Sequence, residues 1–310
     1  MGFTAVNSYG LNELHKQITH AMETLADTVD AYTHIQRLEQ IPLLAEMQAL
    51  LEAVNDEEVD VNELAKLVET SPGVAARVVG IANSAYYGSG TTVASVAEAI
   101  IRVLGLKTVR KLVIGLAASA TFQPENCPGF DTEQYWSSAL LTAYLARRLA
   151  GVVAVEPAPD PDNAYLCGLL HNVGLIALVH VSANEMAQVF LLASKYPQKP
   201  LPEIESEILG VNHYEAGALL ATRWGLPEEV QTAIAHQETL EYHEQHWPLC
   251  RLIGLCAHWT RQCLSGVEDP SLEADTIMSL QMDIDDMQAR VAAAYDEVQS
   301  ILDLAKLFVS

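Results

Sequence analysis

Residues 163–184 read NAYLCGLLHNVGLIALVHVSAN, 22 residues that include no Asp, Glu, Lys or Arg. A stretch of this length could cross a bilayer as a helix. His171, Asn172 and His180 would then lie in hydrocarbon, where polar groups are expensive. We therefore interpret the stretch as a helix through the core of a large soluble fold, and we expect no membrane span.

The remainder of the chain follows a helical pattern. Apolar residues recur at intervals of three and four, for example at Leu43, Met47, Leu50 and Leu51, as on the buried face of an amphipathic helix. Strict alternation of apolar and polar residues, which is typical of strands, is rare. These observations predict an all-α fold, a multi-helix bundle with two helical subdomains.

Proline and glycine mark the ends of the predicted helices. Ser71-Pro72 predicts a helix start, because Ser is a good N-cap and Pro fits the first turn. Gly88-Ser89-Gly90 predicts a helix end, with Gly88 and Gly105 in left-handed positions. We divide the chain into an N-terminal helical extension (1–39), an N-terminal subdomain (40–124), a second subdomain (125–265) and a C-terminal helical extension that packs on the domain (266–310).

Both ends of the chain are amphipathic. Residues 11–35 and residues 284–308 each place apolar side chains on one helical face. Such a face either covers the core of its own protein or docks a partner. The sequence leaves both interpretations open.

Composition restricts the partners and the compartment. The chain has 310 residues, 17 Lys and Arg against 40 Asp and Glu, and a net charge of −23. Half of its residues are hydrophobic, which excludes a disordered chain. The acidity argues against nucleic acid, whose phosphates attract clustered Lys and Arg.

No secretory signal pattern occupies residues 1–10 and the five cysteines form no Cys-x-x-Cys pair, so we expect a cytoplasmic protein with small, buried cysteines.

The pair His171-Asn172 is the first candidate functional feature, because it interrupts apolar sequence. A buried imidazole and carboxamide cost free energy unless both are hydrogen-bonded. Polar side chains elsewhere that could face the pair are Ser138, Glu207, His213, His236 and His258. They are either satisfied core residues or members of a shared site.

A second dense feature is the stretch Ala82-Asn83-Ser84-Ala85-Tyr86-Tyr87-Gly88. Asn83 and Ser84 are suited to capping and to side-chain-to-backbone hydrogen bonds. Nothing in the stretch forms a nucleophile–base pair. It is either a motif that shapes a loop or a surface that binds a ligand.

Taken together, these features resemble the HDOD domain, the HD-related output domain of bacterial signalling proteins. The resemblance covers roughly residues 40–265 and is also carried by Ser71-Pro72-Gly73, Leu104-Gly105, Tyr135-Trp136 and Trp224-Gly-Leu-Pro227. The residues of the family motif in this chain are Asn83, Ser84, Tyr86, Gly88, Trp136 and Trp224. The resemblance implies an all-α fold related to the HD phosphohydrolases.

The resemblance also implies where a metal would bind. In HD phosphohydrolases a His, an adjacent His-Asp pair and a later Asp hold a metal that activates water. The matching positions here are Ser138, His171, Asn172 and His258, so only His171 fits the enzyme pattern. Asn172 brings no negative charge, which weakens a site for magnesium or manganese.

The histidines of the chain are compatible with a different kind of metal. In related enzymes with additional metals, histidines that match His213 and His236 are ligands. The resemblance is therefore compatible with a divalent transition metal held by His171, His213, His236 and His258, since imidazoles favour such metals.

We therefore expect a regulatory module of bacterial signal transduction, without catalysis or a cofactor, that binds a protein partner or a small ligand. The alternative is a degenerate metal-dependent phosphohydrolase that acts on a nucleotide or cyclic dinucleotide. In that case a carboxylate such as Glu207 or Glu238 replaces the missing Asp in space. A nucleic-acid regulator is disfavoured by the charge of the chain.

Overall fold

Fifteen α-helices and one π-helical turn build the part of the chain that the computed structural model describes, which is residues 33–39, 41, 53, 59–88, 90, 92–122, 124, 127–267 and 270–309. No strand occurs in these residues, and the predicted all-α class is confirmed. The helices are α1 (Val61–Glu69), α2 (Pro72–Ala82), α3 (Val96–Ala99), α4 (Leu106–Thr121), α5 (Thr132–Ala150), α6 (Pro161–Leu170), α7 (Val173–Val181), α8 (Ala183–Lys195), α9 (Leu201–Leu209), α10 (His213–Arg223), α11 (Glu228–His236), α12 (Trp247–Leu264), α13 (Ala274–Ser279), α14 (Ile284–Asp296) and α15 (Val298–Val309).

Short polar side chains start many of these helices. Asp60, Asp131, Asp160 and Asn212 each accept hydrogen bonds from backbone N–H groups in the first turn that follows, as N-caps do. Ser71 precedes α2 as predicted, but its hydroxyl makes no capping hydrogen bond. Helix α2 therefore begins with Pro72 in its first turn and without a side-chain cap.

The end of α2 differs from the prediction. The helix stops at Ala82, with Asn83 as its C-cap, and residues 83–87 form turns and bends. Gly88 is not in a left-handed conformation; a Cβ there would lie 2.7 Å from the Ser84 carbonyl oxygen. Gly105 does have a positive φ of 75°, and it ends the π-helical turn Ile100–Leu104. Asn83 ends the helix early because its side chain bonds to a later segment, described below.

The uncharged stretch of residues 163–184 is not one helix. Helix α6 ends at Leu170 and α7 begins at Val173, so His171 and Asn172 form the turn between them. The His171 ring takes the Gly168 carbonyl, which a continuing helix would offer to the backbone N–H of Asn172. Pro161–Val181 has the length and hydropathy of a membrane span, but 78% of its most apolar window is buried inside the protein. That burial is typical of core helices.

Helix α5 is the centre of the core. Gly168 of α6 lies against Ala143, where a Cβ would come within 2.5 Å of the Ala143 Cα. Thr142 donates a hydrogen bond to Thr260 of α12 at 3.2 Å, in an otherwise apolar contact. Helices α6 and α12 are thereby held against α5; α6 leads directly to His171 and α12 carries Arg261, two residues of the candidate site.

The C-terminal amphipathic stretch forms two helices, α14 and α15, that meet at Glu297. Phe308 of α15 packs on Trp136 of α5, with ring centroids 4.9 Å apart, and its carbonyl accepts a hydrogen bond from Ser119 at 2.8 Å. The N-terminal amphipathic stretch is described only from residue 33 onward. The apolar pattern of residues 43–51 lies outside the described residues.

All five cysteines are free thiols. Four are buried and Cys263 is partly exposed. Burial raises the pKa of each thiol, including that of Cys250 to about 12. They therefore behave as small apolar side chains, as predicted.

Candidate functional site

His171 lies in the interior at the α6–α7 turn, with 2% of its surface exposed. Its Nδ1 is 2.7 Å from the carbonyl oxygen of Gly168, which only accepts hydrogen bonds, so Nδ1 carries the proton and Nε2 is left with a lone pair. The backbone carbonyl of His171 accepts a hydrogen bond from Nε2 of Gln237 at 2.7 Å. Burial, with a smaller effect of the Arg261 charge, lowers the pKa of His171 to about 3. The imidazole is therefore neutral at physiological pH.

Asn172 follows at the N-cap position of α7 and is partly exposed. Its side chain makes no capping hydrogen bond to the helix. A carboxamide has a carbonyl oxygen to offer but no charge. Position 172 therefore adds a polar group beside His171 without the anion that a hard metal ion prefers.

His213 begins α10 and is held by a buried carboxylate. Oε2 of Glu205, a fully buried residue of α9, accepts a hydrogen bond from the His213 backbone N–H at 2.9 Å and from Nδ1–H at 2.6 Å. The hydrogen bond to Oε2 thus places a proton on Nδ1 of His213, as the Gly168 carbonyl does at His171. The other Glu205 oxygen, Oε1, is buried and has no hydrogen-bond partner.

Two glycines bring the histidines into one region. A Cβ on Gly174 of α7 would overlap the His213 carbonyl oxygen and the backbone of Gly217 in α10. Helices α7 and α10 therefore touch backbone to backbone. At this crossing, His213 is near enough to His171 to contribute to the lowering of its pKa.

A charged pair closes the cluster on the side of α12. Arg261 donates a hydrogen bond to Glu238 at 2.8 Å, and both side chains are about half exposed. Burial and the carboxylate of Glu238 raise the pKa of Tyr214 above its ordinary value. We call His171, His213, Glu205, Tyr214 and the Glu238–Arg261 pair the histidine cluster.

The structure gives the other two candidate histidines different partners. His236 ends α11 and stacks on Tyr242, with ring centroids 4.0 Å apart and planes 5° apart. His258 is 41% exposed, and its Nδ1 is 4.0 Å from a Glu273 oxygen. Within the described residues no group of three or more His, Cys, Asp or Glu is arranged to hold a metal.

The two carboxylates that could replace the missing Asp also lie in different places. Glu207 is exposed and pairs with Lys199 at the surface, whereas Glu238 lies in the histidine cluster but is neutralised by Arg261. The sequence did not identify Glu205. Its signal was present, because position 205 falls on the apolar face of α9 between the buried Ile204 and Leu209.

The donor set does not fit the metal that the resemblance implies. The cluster offers two imidazole nitrogens, while Glu205 is already bonded to His213 and Arg261 adds a positive charge. Magnesium and manganese require several oxygen ligands, including anionic ones, and zinc sites have at least three protein ligands. We therefore assign no metal-dependent step to these residues.

The N-terminal motif shapes a loop. Nδ2 of Asn83 donates to the Val93 carbonyl and Oδ1 of Asn83 accepts from the Val93 N–H, both at 2.9 Å. Ser84 donates its hydroxyl to the Ile81 carbonyl at 2.7 Å. Tyr86 packs edge-on against Tyr144 of α5. These contacts fix the connection between α2 and α3 to the core.

The two tryptophans of the motif are core residues. Trp136 is 1% exposed, packs on Phe308 and has an indole N–H without a hydrogen-bond partner. Trp224 is 8% exposed and lies 6.1 Å from Phe122 between ring centroids. Both contribute large apolar area to the core.

Comparison with protein families gives one match. The model of the HDOD domain matches residues 41–240. An "Uncharacterized protein" of Treponema pallidum (strain Nichols) is 27% identical over 256 residues, which is 82% of this chain and 47% of that protein. The chain thus spans about half the length of this curated relative.

Solved structures share the fold. A "Putative signal transduction protein" from Marinobacter aquaeolei VT8 superposes with a TM-score of 0.77 at 28% identity, over 92% of this chain and 66% of the other. A "Putative phosphohydrolase" from Shewanella amazonensis SB2B gives a TM-score of 0.74 at 23% identity, over 90% and 98% of the two chains. The second likeness shows the fold alone.

Proposed function

Since the chain belongs to the HDOD domain family, we propose that it is a non-catalytic regulatory module of bacterial signal transduction, which acts by binding a protein or a small ligand. The observation that carries this proposal is the composition of the histidine cluster. Asn172 replaces a carboxylate, Glu205 is committed to His213, and Glu238 is committed to Arg261. The name of the Marinobacter relative is consistent with a signalling role.

The proposal places the protein in the cytoplasm and excludes nucleic acid as a partner. The net charge of −23 repels phosphates. The densest basic group of the sequence is also used internally, since Arg102 pairs with Glu98 while Lys107 and Lys111 pair with Asp162. Within the described residues, these three cations therefore do not form an unpaired basic patch.

The proposed domain division assigns residues 266–310 to an extension that packs on the rest. The contact of Phe308 with Trp136 and the hydrogen bond from Ser119 support this part of the proposal. The extensions at the two ends are where a module of this kind would vary its partners.

A degenerate phosphohydrolase is the second candidate. The observation in its favour is that Nδ1 of both His171 and His213 is bonded to an oxygen, so that Nε2 is the ring nitrogen left to meet a ligand. Histidine ligands in metal sites are commonly oriented in this way, by a carbonyl or carboxylate on the other nitrogen.

Elemental analysis of the untagged, full-length protein separates the two candidates. We expect no stoichiometric transition metal and no hydrolysis of bis-p-nitrophenyl phosphate or cyclic dinucleotides with added Mn²⁺, Mg²⁺ or Zn²⁺. About one equivalent of metal that is lost in His213→Gln, together with hydrolysis lost in the same variant, would establish the hydrolase instead. His243→Gln, at an exposed position outside the candidate ligands, is the matched control.

A further inference from the structure

An apolar groove of about 770 Å³ lies between α12, α13 and α14. Buried Trp259 of α12 lines its inner wall, and Ile277, Met287 and Val291 line its sides. The indole N–H of Trp259 has no hydrogen-bond partner. The groove lies outside the histidine cluster, and no residue of that cluster or of the family motif lines it.

Large apolar side chains also stand exposed along the groove. Met278 is 67% exposed, Ile284 57% and Tyr295 48%, and all three line it. They are three of nine large hydrophobic residues that are exposed in the described part of the chain. Contiguous apolar surface of this kind marks an interaction site.

Charge restricts what can occupy the groove. Residues 270–297, which form most of it, contain seven carboxylates and a single cation, Arg290. The seven are Glu273, Asp275, Asp283, Asp285, Asp286, Asp296 and Glu297. Arg290 is held by Asp286 and by the carbonyl of Arg148. The groove is therefore apolar inside, Asp296 lines it, and the segments that form it are acidic.

We propose that this groove is the docking site for a basic amphipathic helix of a partner protein. The apolar face of such a helix fills the groove, and its Lys and Arg side chains are attracted by Asp296 and by the other carboxylates of residues 270–297, in the helix-in-groove mode of recognition. The proposal rests on the proposed function as a binding module and specifies the chemistry of its partner.

The same charges disfavour other occupants. A second copy of the chain carries the same acidic segment, residues 270–297, and a net charge of −23. Residues 1–32 of the chain itself contain four carboxylates and one lysine. An anionic membrane surface is repelled for the same reason.

Model peptides of defined pattern test the proposal on the full-length protein. The probe is a fluorescein-labelled 18-residue Leu/Lys peptide with amphipathic helical spacing; its controls are a scrambled Leu/Lys peptide of identical composition and an amphipathic Leu/Glu peptide. We expect fluorescence anisotropy at physiological salt to show binding of the amphipathic Leu/Lys peptide, with both controls at least about tenfold weaker.

Two double variants locate the binding. Met278→Gln with Ile284→Gln removes the exposed apolar contacts without changing charge, and we expect about a tenfold loss of affinity. Leu191→Gln with Leu240→Gln, at 68% and 57% exposed positions outside the groove, should leave affinity unchanged. Asp285→Asn with Asp296→Asn should weaken binding by several-fold and reduce its salt dependence.

The proposal would be overturned if the two Gln double variants bound the amphipathic Leu/Lys peptide with equal affinity. It would also be overturned if the scrambled Leu/Lys peptide bound as tightly as the amphipathic one, because nonspecific attraction to the acidic chain would then explain the binding. Sedimentation of the protein without peptide tests for a second copy: a dimer that dissociates in the Met278→Gln, Ile284→Gln variant would overturn it as well. Tighter binding of a peptide of residues 11–32 than of the Leu/Lys probe would assign the groove to the chain's own segment. None of these results bears on metal content or turnover, so they leave the proposed function to its own test.

Discussion

Oε2 of Glu205 accepts two hydrogen bonds from His213, one from the backbone N–H at 2.9 Å and one from ring Nδ1–H at 2.6 Å. Both residues are buried, and they join the middle of α9 to the start of α10. The pair fixes the orientation of the His213 ring and the position of the first turn of α10. Its removal should therefore be costly for stability.

We expect Glu205→Ala to lower the free energy of unfolding by about 2–4 kcal/mol, because two buried N–H groups lose their acceptor. Glu205→Gln keeps a carbonyl acceptor and should lose less. Glu207→Ala is the matched control two residues along, where an exposed ion pair contributes at most about 1 kcal/mol. Urea denaturation measures all three, and an equal effect of the two alanine variants would contradict the structural role of Glu205.

The lowered pKa of His171 predicts a specific pH dependence. The ordinary value of 6.5 applies to the unfolded chain and about 3 to the folded one, so between these values the unfolded chain binds a proton that the folded chain does not. Stability is then complete above about pH 6.5 and is lost as the pH falls towards 3. Between pH 7 and pH 5 the contribution of His171 falls by about 2 kcal/mol.

The measurement is the difference in unfolding free energy between pH 7 and pH 5 for the wild type and for His171→Gln. We expect the variant to be less stable at pH 7 and to depend less steeply on pH over this range. His258→Gln, which removes a partly exposed imidazole, is the matched control. Identical slopes for the wild type and His171→Gln would show that the ring is not buried in its neutral form.

The bonds of Asn83 to Val93 should set the stability of the loop between α2 and α3. Asn83→Ala removes both hydrogen bonds, and we expect a loss of about 1–2 kcal/mol. Hydrogen exchange at the Val93 amide should accelerate at the same time. Asn184→Ala, at an exposed position in α8, is the control. If the Val93 amide stayed protected from hydrogen exchange in Asn83→Ala, other contacts would hold the loop.

Close approach of α7 and α10 makes Gly174 intolerant of any side chain. Gly174→Ala places a methyl group against the His213 carbonyl and Gly217, and we expect a loss of at least about 3 kcal/mol. Gly80→Ala in α2 is the contrasting case, because its Cβ would meet only Leu307 at 3.8 Å. That variant should gain about 0.5–1 kcal/mol from helix propensity. Thermal denaturation that ranks the two variants in the opposite order would disprove the contact.

The sequence predicted the fold class because helical periodicity is a local signal that each segment carries by itself. Burial of His171 was predictable for the same reason, since apolar residues surround it on both sides. The break at residues 171–172 was not predictable. It depends on the ring of His171 taking the Gly168 carbonyl and on Gln237, 66 residues away, holding the carbonyl of His171.

The partners of the histidines also lie beyond sequence patterns. Periodicity shows that a face is buried but not which helix covers it, so nothing in the sequence joined Glu205 to His213 or stacked His236 on Tyr242. Glu205 itself could have been noticed as a carboxylate on an apolar face. The apolar groove was only partly predictable. The amphipathic pattern of residues 284–308 was evident in the sequence, but the pattern did not show that α15 covers the core whereas α14 leaves Ile284 and Tyr295 exposed.

Gly174 and Gly217 work as a built-in spacer: the distance between the turn of His171 and the start of α10 is set by two missing methyl groups rather than by the side chains of the cluster. For protein engineering, this separates the frame from the chemistry it carries. The side chains of Asn172 and Tyr214 can therefore be exchanged without altering the glycines that hold the two helices together. The cluster is therefore a site whose side chains can be replaced while the crossing of α7 and α10 stays in place.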